Sequence, residues 1–271
     1  VWWYCIFTYR LENMIFNKFF ILFKIGRKIG KSNIINIVSE THKIPVFIKL
    51  FFNLLAFSFS SSNNTKSKGK ENLSESIQEM GTTFIKLGQF LATRPDIIGE
   101  KLSKELESLQ DKLPPFSKKE AEKIIIENLG RSNFDDIIDL SEPIAAASIA
   151  QVHKAKIKED NIIKNVAIKV LRPNIKKIFN DEIDAIMLLA YIVESLISKT
   201  KRLKLIEVVF LFKEITNHEM DLRFEAAAAN EYAENTKNDL GFFVPKIYWN
   251  FTSESVLTLD WVDGVSIREK D

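Results

Sequence analysis

Apolar positions recur along the chain with two different periods, and the change of period divides it. Leu73, Ile77, Met80, Phe84, Leu87 and Leu91 follow one another at three and four residues, which predicts one amphipathic helix. Arg94-Pro95-Asp96 ends it. A second helix is predicted over Glu100–Leu109, leading into Leu113-Pro114-Pro115, and a third over Ser117–Leu129 with Gly130 as its stop signal. The period then shortens. Phe134–Leu140 reads as a first strand, Ser148–Ile157 and Val166–Leu171 as the next two, with the polar turn Lys158-Glu159-Asp160-Asn161 between the latter. Helical spacing returns over Asn174–Lys199 and again over Leu205–Lys237. Val244–Phe251 and Ser255–Trp261 read as the last two strands.

The amino-terminal part has its own character. Residues 1–13 precede the first methionine, Met14, and are read as an upstream extension without an assigned function; their apolar part is too short for a secretory signal. Between Met14 and Ser39 there is no acidic residue, while Lys18, Lys24, Arg27, Lys28 and Lys31 punctuate Phe16, Phe19, Phe20, Leu22, Phe23 and Ile25. Such a basic, aromatic helix suits an anionic membrane surface, and equally a helix docked on its own domain with its lysines in solvent. Pro45–Phe59 repeats the theme and is too short to span a bilayer. Ser58–Lys70, SFSSSNNTKSKGK, is a polar linker. The organisation read from these shifts is a basic, Phe-rich region over 1–57, a linker over 58–70, a helical extension over 71–130, an α+β domain over 131–264, and a remaining stub over 265–271.

Composition narrows the classes without choosing among them. The 271 residues are 46% hydrophobic and 27% charged, a folding rather than a disordered mixture. A net charge of +2 gives no global field for nucleic acid. Cys5 is the only cysteine, so no internal disulfide forms, and His42, His153 and His218 show no metal-ligand spacing.

The chemistry concentrates between Pro143 and Val170. Lys169 is the one charge in the apolar run Val166–Leu171, and a charge in a buried strand needs an anionic partner. Ahead of it, Ala145-Ala146-Ala147-Ser148 reads as a loop of side chains small enough to let a ligand approach the backbone. A nucleotide phosphate assisted by a carboxylate suits a strand lysine beside such a stretch; the plain alternative is a hairpin with an edge lysine. No G-x-G-x-x-G occurs, so there is no dinucleotide fingerprint, and alanines resist the left-handed conformations glycine takes freely. Two further groups stand out. In Lys86-Leu87-Gly88-Gln89 the lysine and the glutamine share one helical face, and Gly88 costs helix stability unless something comes close to its backbone. Glu219-Met220-Asp221 is followed by Glu225, four residues after Asp221 on one face; a solvated helix face is the plain reading.

The block FIKLGQFLATRPDIIGEKLSKELESLQDKLPPF, followed by AAASIAQVHKA and VAIKVLRP, resembles the UbiB family of atypical kinases associated with ubiquinone biosynthesis, over roughly Leu73 to the carboxyl terminus. The resemblance implies an α+β fold: a protein-kinase-like N-lobe with an antiparallel sheet and family-specific amino-terminal helices. It implies ATP and Mg²⁺ as cofactors. Ile144, Ala145, Ala146, Ala147, Ser148, Ile149, Ala150, Gln151 and Val152 would cover the nucleotide. Lys169 would hold phosphates, Glu225 would position Lys169, and Asp260 and Val262 would lie at the hinge where backbone groups hold adenine. Lys86 and Gln89 of the K-x-G-Q helix would reach Glu219 and Asp221 of the E-x-D motif and restrict the cleft. The implied setting is the cytoplasmic face of a bacterial inner membrane, with peripheral attachment and ubiquinone-biosynthesis proteins or lipids as partners. The family's C-lobe would bring a catalytic-loop aspartate and asparagine and a Mg²⁺-binding aspartate, and residues 265–271 do not carry that pattern. The expectation is therefore an amino-terminal fragment that binds ATP weakly and does not turn it over, with no catalytic and no metal-binding residue of its own. A non-enzymatic nucleotide-binding or membrane-docking module, or an inert fragment, is the second reading; polyprenylphenol hydroxylase is a distant third.

Overall fold

The computed structural model describes residues 20–30, 34, 73–109, 113–196 and 198–265. The chain forms two compact units, one from Val1–Asp111 and Lys176–Glu214, the other from Lys112–Ile175 and Ile215–Asp271. The expectations for residues 1–19, 35–72 and 266–271 lie outside the described residues.

The first unit is helical. It contains α1 (20–30), α2 (Leu73–Met80), α3 (Thr82–Ala92), the short α4 (Pro95–Ile98), α5 (Glu100–Leu106) and most of a long helix discussed below. The single helix expected over Leu73–Leu91 is two, because Gly81 sits at φ 103°, ψ −176°, where the backbone turns out of the helix. The apolar period survives the break: Met80 and Phe84 both enter a core with Ile25 of α1 and Ala185, flanked by Ile21, Leu22, Ile29 and Ile77. Residues 20–30 thus pack on their own unit. Lys28 is part of the docking. Its ammonium donates to the carbonyl of Met80 at 2.7 Å, at the negative end of α2, and lies 3.7 Å from Glu182. The close approach that Gly88 called for is also present. A Cβ there would lie 3.0 Å from Leu109 Cδ1 and 3.3 Å from Ile77 Cγ2.

The second unit is built on a sheet. Its first helix, α6 (Lys118–Asp135), opens on a capping box: the Ser117 hydroxyl accepts from the Glu120 amide and the Glu120 carboxylate accepts from the Ser117 amide. Gly130, at φ 81°, kinks α6 where a stop was expected, and one more helical turn follows. The strands are β1 (Ile137–Ile138), β2 (Pro143–Ala146), β3 (Ala150–Glu159), β4 (Ile162–Leu171) and β5 (Val256–Asp260). They run β1-β3-β4-β5, with β2 also on β3, and every pairing is antiparallel. The fold is α+β with an antiparallel sheet, as expected. β3 and β4 form a hairpin in which Asp160 and Asn161 both take positive φ, 50° and 59°, which matches the right-handed twist of the strands.

Three boundaries depart from expectation. The alanine stretch is not a loop throughout: Ala145 and Ala146 pair with Val152 and Gln151, and the turn proper is Ala147–Ile149. Only Ile247 of Val244–Phe251 bridges the sheet, opposite Leu259; the chain then winds through a 3₁₀ turn at Trp249–Phe251. The first strand shrinks to two residues. Alternation along the strands buries Ala155, Ile157, Val166, Ile168, Val170 and Val256 on one face, against Ala121 and Ile125 of α6 and the rings of Tyr248 and Phe251.

The chain leaves the sheet after β4 in α7 (Ile175–Leu196), turns through a 3₁₀ segment (Ser198–Leu203) and returns in α8 (Leu205–Glu219). The helix expected over Leu205–Lys237 breaks at Met220-Asp221, and α9 (Leu222–Thr236) begins anew. Within the helical unit, Phe212 of α8 stacks on Phe179 of α7 and Phe90 of α3, at 5.7 and 5.5 Å between ring centres.

Candidate functional site

The candidate site lies on the face of the sheet opposite the α6 core. Register places Val152 opposite Lys169, Lys154 opposite Ala167, and then Leu257 opposite Lys169 and Leu259 opposite Ala167 on the β5 side. Directly opposed residues share a face, so Val152, Ala167 and Leu259 form a small apolar floor beside the lysine. Against β5 lies α9, anchored by Leu222 and Ala226, both fully buried and four residues apart, and by the Leu222 amide donating to the Glu254 carbonyl at 3.0 Å. Glu225 stands between those anchors in the sequence and reaches back over the sheet.

Lys169 and Glu225 meet there. The ammonium donates to both carboxylate oxygens, at 2.9 and 2.7 Å. Lys169 is 27% and Glu225 50% exposed, so the pair is open to solvent on one side. An ammonium has three N–H donors; two are spent on Glu225, which leaves one for an anion arriving from solvent.

Asp221 has another part. It is the N-cap of α9: its carboxylate accepts from the Arg223 amide at 3.1 Å and from the Arg223 guanidinium at 2.9 and 2.7 Å. Because the helix restarts there, Asp221 and Glu225 do not share one continuous helical face as expected. Glu219 is the last residue of α8, and Lys86 and Gln89 lie on α3 in the helical unit. Among the described residues no group of three or more His, Cys, Asp or Glu side chains could hold a metal ion, and the Asp221 carboxylate is already engaged by Arg223. The described residues therefore do not fit a Mg²⁺ ion by themselves.

The alanine segment divides. Ile144 is exposed and Ala145 lies in the open, while Ser148, Ile149, Ala150 and Gln151 are buried. Gln151 does not face solvent. Its side chain is turned into the protein, accepting from the Phe116 amide at 2.9 Å and donating to the Phe116 carbonyl at 3.2 Å and to His153 Nε2 at 2.9 Å. His153 Nδ1 in turn donates to the Ser141 carbonyl at 2.8 Å. Burial holds the imidazole below its ordinary pKa. At the other end, the Asp260 carboxylate accepts from the Tyr248 hydroxyl at 2.5 Å. Burial, with this bond, pushes the Tyr248 phenol well above its usual range. The following residues are tied too. The Trp261 amide donates to the Asn165 carbonyl at 3.0 Å, its indole donates to Asp263 at 2.7 Å, and the Lys154 ammonium lies 4.3 Å from its ring centre. Val262 is half-exposed.

Two residues of the apolar floor, Ala167 and Leu259, went unseen in the sequence. Ala167 could have been placed beside Lys169 by counting alternate residues in VAIK. Leu259 is brought beside them only by the pairing of β5 with β4, which the sequence does not show.

Residues 108–271, more than half of the chain, match the ABC1 atypical kinase-like domain. Curated relatives bear the name probable protein kinase UbiB. The chain is 34% identical over 228 residues to that of Marinobacter nauticus, covering 84% of this chain and 41% of the relative. It is 33% identical over 227 residues to that of Cellvibrio japonicus, covering 83% and 41%. It is 30% identical over 250 residues to that of Pseudomonas paraeruginosa, covering 92% and 46%. The chain spans somewhat under half the length of these relatives.

Proposed function

Because the chain belongs to the UbiB family of ABC1 atypical kinase-like proteins, we propose that its sheet unit binds ATP and serves a kinase or ATPase activity in ubiquinone biosynthesis. The observation that carries this reading is the Lys169–Glu225 pair, held at 2.7 Å beside the apolar floor of Val152, Ala167 and Leu259. A planar base is accommodated by small apolar side chains, and a polyphosphate by an ammonium that a carboxylate keeps in place. The alanine turn lies at the end of the same hairpin, where phosphates following the base would lie. Ubiquinone precursors carry long apolar tails, so the activity belongs at a membrane surface; among the described residues no helix is long and apolar enough to cross one.

The test is a titration of the 271-residue chain with a fluorescent ATP analogue, alongside Lys169→Ala and Glu225→Gln. Saturable binding that Lys169→Ala weakens at least tenfold supports the reading. Binding that is absent, or indifferent to Lys169, refutes it.

A further inference from the structure

Leu113-Pro114-Pro115-Phe116 is the first described segment of the sheet unit, and its prolines have no N–H to offer a sheet. Its carbonyls still need donors, and two side chains from the hairpin supply them. Gln151 pairs with both backbone groups of Phe116, as above. Arg172, just past the end of β4, donates from Nη1 to the Pro114 carbonyl at 3.0 Å and from Nη2 to that of Leu113 at 3.4 Å.

The same guanidinium holds the alanine turn. Its Nε and Nη2 donate to the Ala147 carbonyl at 3.1 and 2.8 Å. The Arg172 amide donates to the Ile149 carbonyl at 2.8 Å, and the Ala147 amide to the Ala150 carbonyl at 2.8 Å. Three carbonyl oxygens of the turn, at Ala147, Ile149 and Ala150, are thus engaged by protein donors. Carbonyl oxygens pointing at a polyphosphate would repel it. A glycine-rich loop can rearrange to avoid this, whereas alanines cannot do so cheaply. The turn must be set beforehand, and Arg172 is placed to set it. Ala150 pairs with Leu171, two residues along each strand from the Val152–Lys169 pair, so the turn stands at the lysine's end of the hairpin.

We propose that Arg172 is a positioning residue whose guanidinium fixes the Ala147–Ala150 turn, together with Leu113–Pro114, in the one arrangement that admits nucleotide phosphates beside Lys169. The proposal rests on the nucleotide reading above. A lysine would keep the charge but lose the planar fork that spans three carbonyls.

The experiment compares the full chain with Arg172→Lys and Arg172→Gln. Amide hydrogen exchange over residues 147–151, measured without nucleotide, is expected to be about tenfold faster in both variants, the scale of a lost charge-assisted hydrogen bond. ATP affinity is expected to fall about tenfold in both while adenosine affinity stays within twofold, since adenosine has no phosphate for the turn to admit. A purely structural arginine would weaken both ligands alike, and that result, or unchanged exchange at 147–151, overturns the proposal. Should Arg172→Gln fail to fold, Arg172→Lys carries both measurements. If the unaltered chain binds neither ligand, the nucleotide reading falls and this proposal falls with it, while the exchange data still report whether the arginine clamps the turn.

Discussion

Lys169 and Glu225 are 56 residues apart in the chain and 2.7 Å apart in space, and a helix that begins only at Leu222 brings them together. The lysine lies within β4 and the glutamate one turn into α9.

The pair is half open to solvent, so its contribution to folding is small, and its value lies in fixing the ammonium. Glu225→Gln is expected to leave the thermal midpoint within about 2 °C, since a change near 0.5 kcal/mol shifts it little. ATP affinity is expected to fall roughly tenfold, because the ammonium loses its positioning partner. Calorimetry and nucleotide titration on the same preparation check both.

His153 is buried and neutral, with its pKa held below the ordinary 6.5 by desolvation. The unfolded chain takes up the proton first, so this group's contribution is fully present above about pH 6.5 and is lost as pH falls from there toward the folded value. The urea midpoint is expected to decline between about pH 7 and pH 5.5, and to decline less in His153→Gln. An equal slope in the two proteins would refute the assignment.

Gly88 leaves a side chain only tight room. Alanine would gain about 1 kcal/mol of helix propensity but would press on Leu109 and Ile77 at 3.0 and 3.3 Å. Valine adds bulk without comparable gain. Gly88→Val is expected to lower stability by about 2–3 kcal/mol, the usual cost of overpacking, and Gly88→Ala by less, both read from urea denaturation.

Tyr248 and Asp260 are joined by a hydrogen bond at the end of β5. Tyr248→Phe keeps the ring in the core and removes the hydroxyl, leaving the carboxylate one donor short. A loss of about 1–2 kcal/mol in unfolding free energy is expected. Asp260→Asn, which preserves an acceptor, should cost less.

The sheet was legible because a period of two with a clear turn signal leaves few alternatives, and VAIK carried its own lysine into view. What stayed hidden was set by single backbone positions. Gly81 splits one apolar stripe into two helices without disturbing its spacing, so periodicity alone could not reveal it. Asp221 caps α9, and no apolar signal marks that break because α8 and α9 present charges on either side of it. Gln151 looked like part of a ligand-covering loop; its burial follows from strand alternation combined with the unpaired backbone of Phe116, a partner 35 residues away. Arg172 was invisible for the same reason, since its guanidinium donates to the backbone carbonyls of Leu113, Pro114 and Ala147, which leave no trace in side-chain identity.

The detour of the chain between β4 and β5 has a consequence for the order of assembly. β3 and β4 are joined by two residues and can pair within microseconds, whereas β5 must wait for the chain to travel through α7 and α8 before Val256 meets Val170. Contacts that close long loops form late because the entropy of closure precedes their reward. Truncating Val166 to alanine is therefore expected to slow refolding, while truncating Val256 should chiefly speed unfolding, a contrast that stopped-flow kinetics would read directly. A nascent chain with only the hairpin formed would hold Lys169 with no carboxylate beside it, so the Lys169–Glu225 pair can close only once α9 has docked on the sheet.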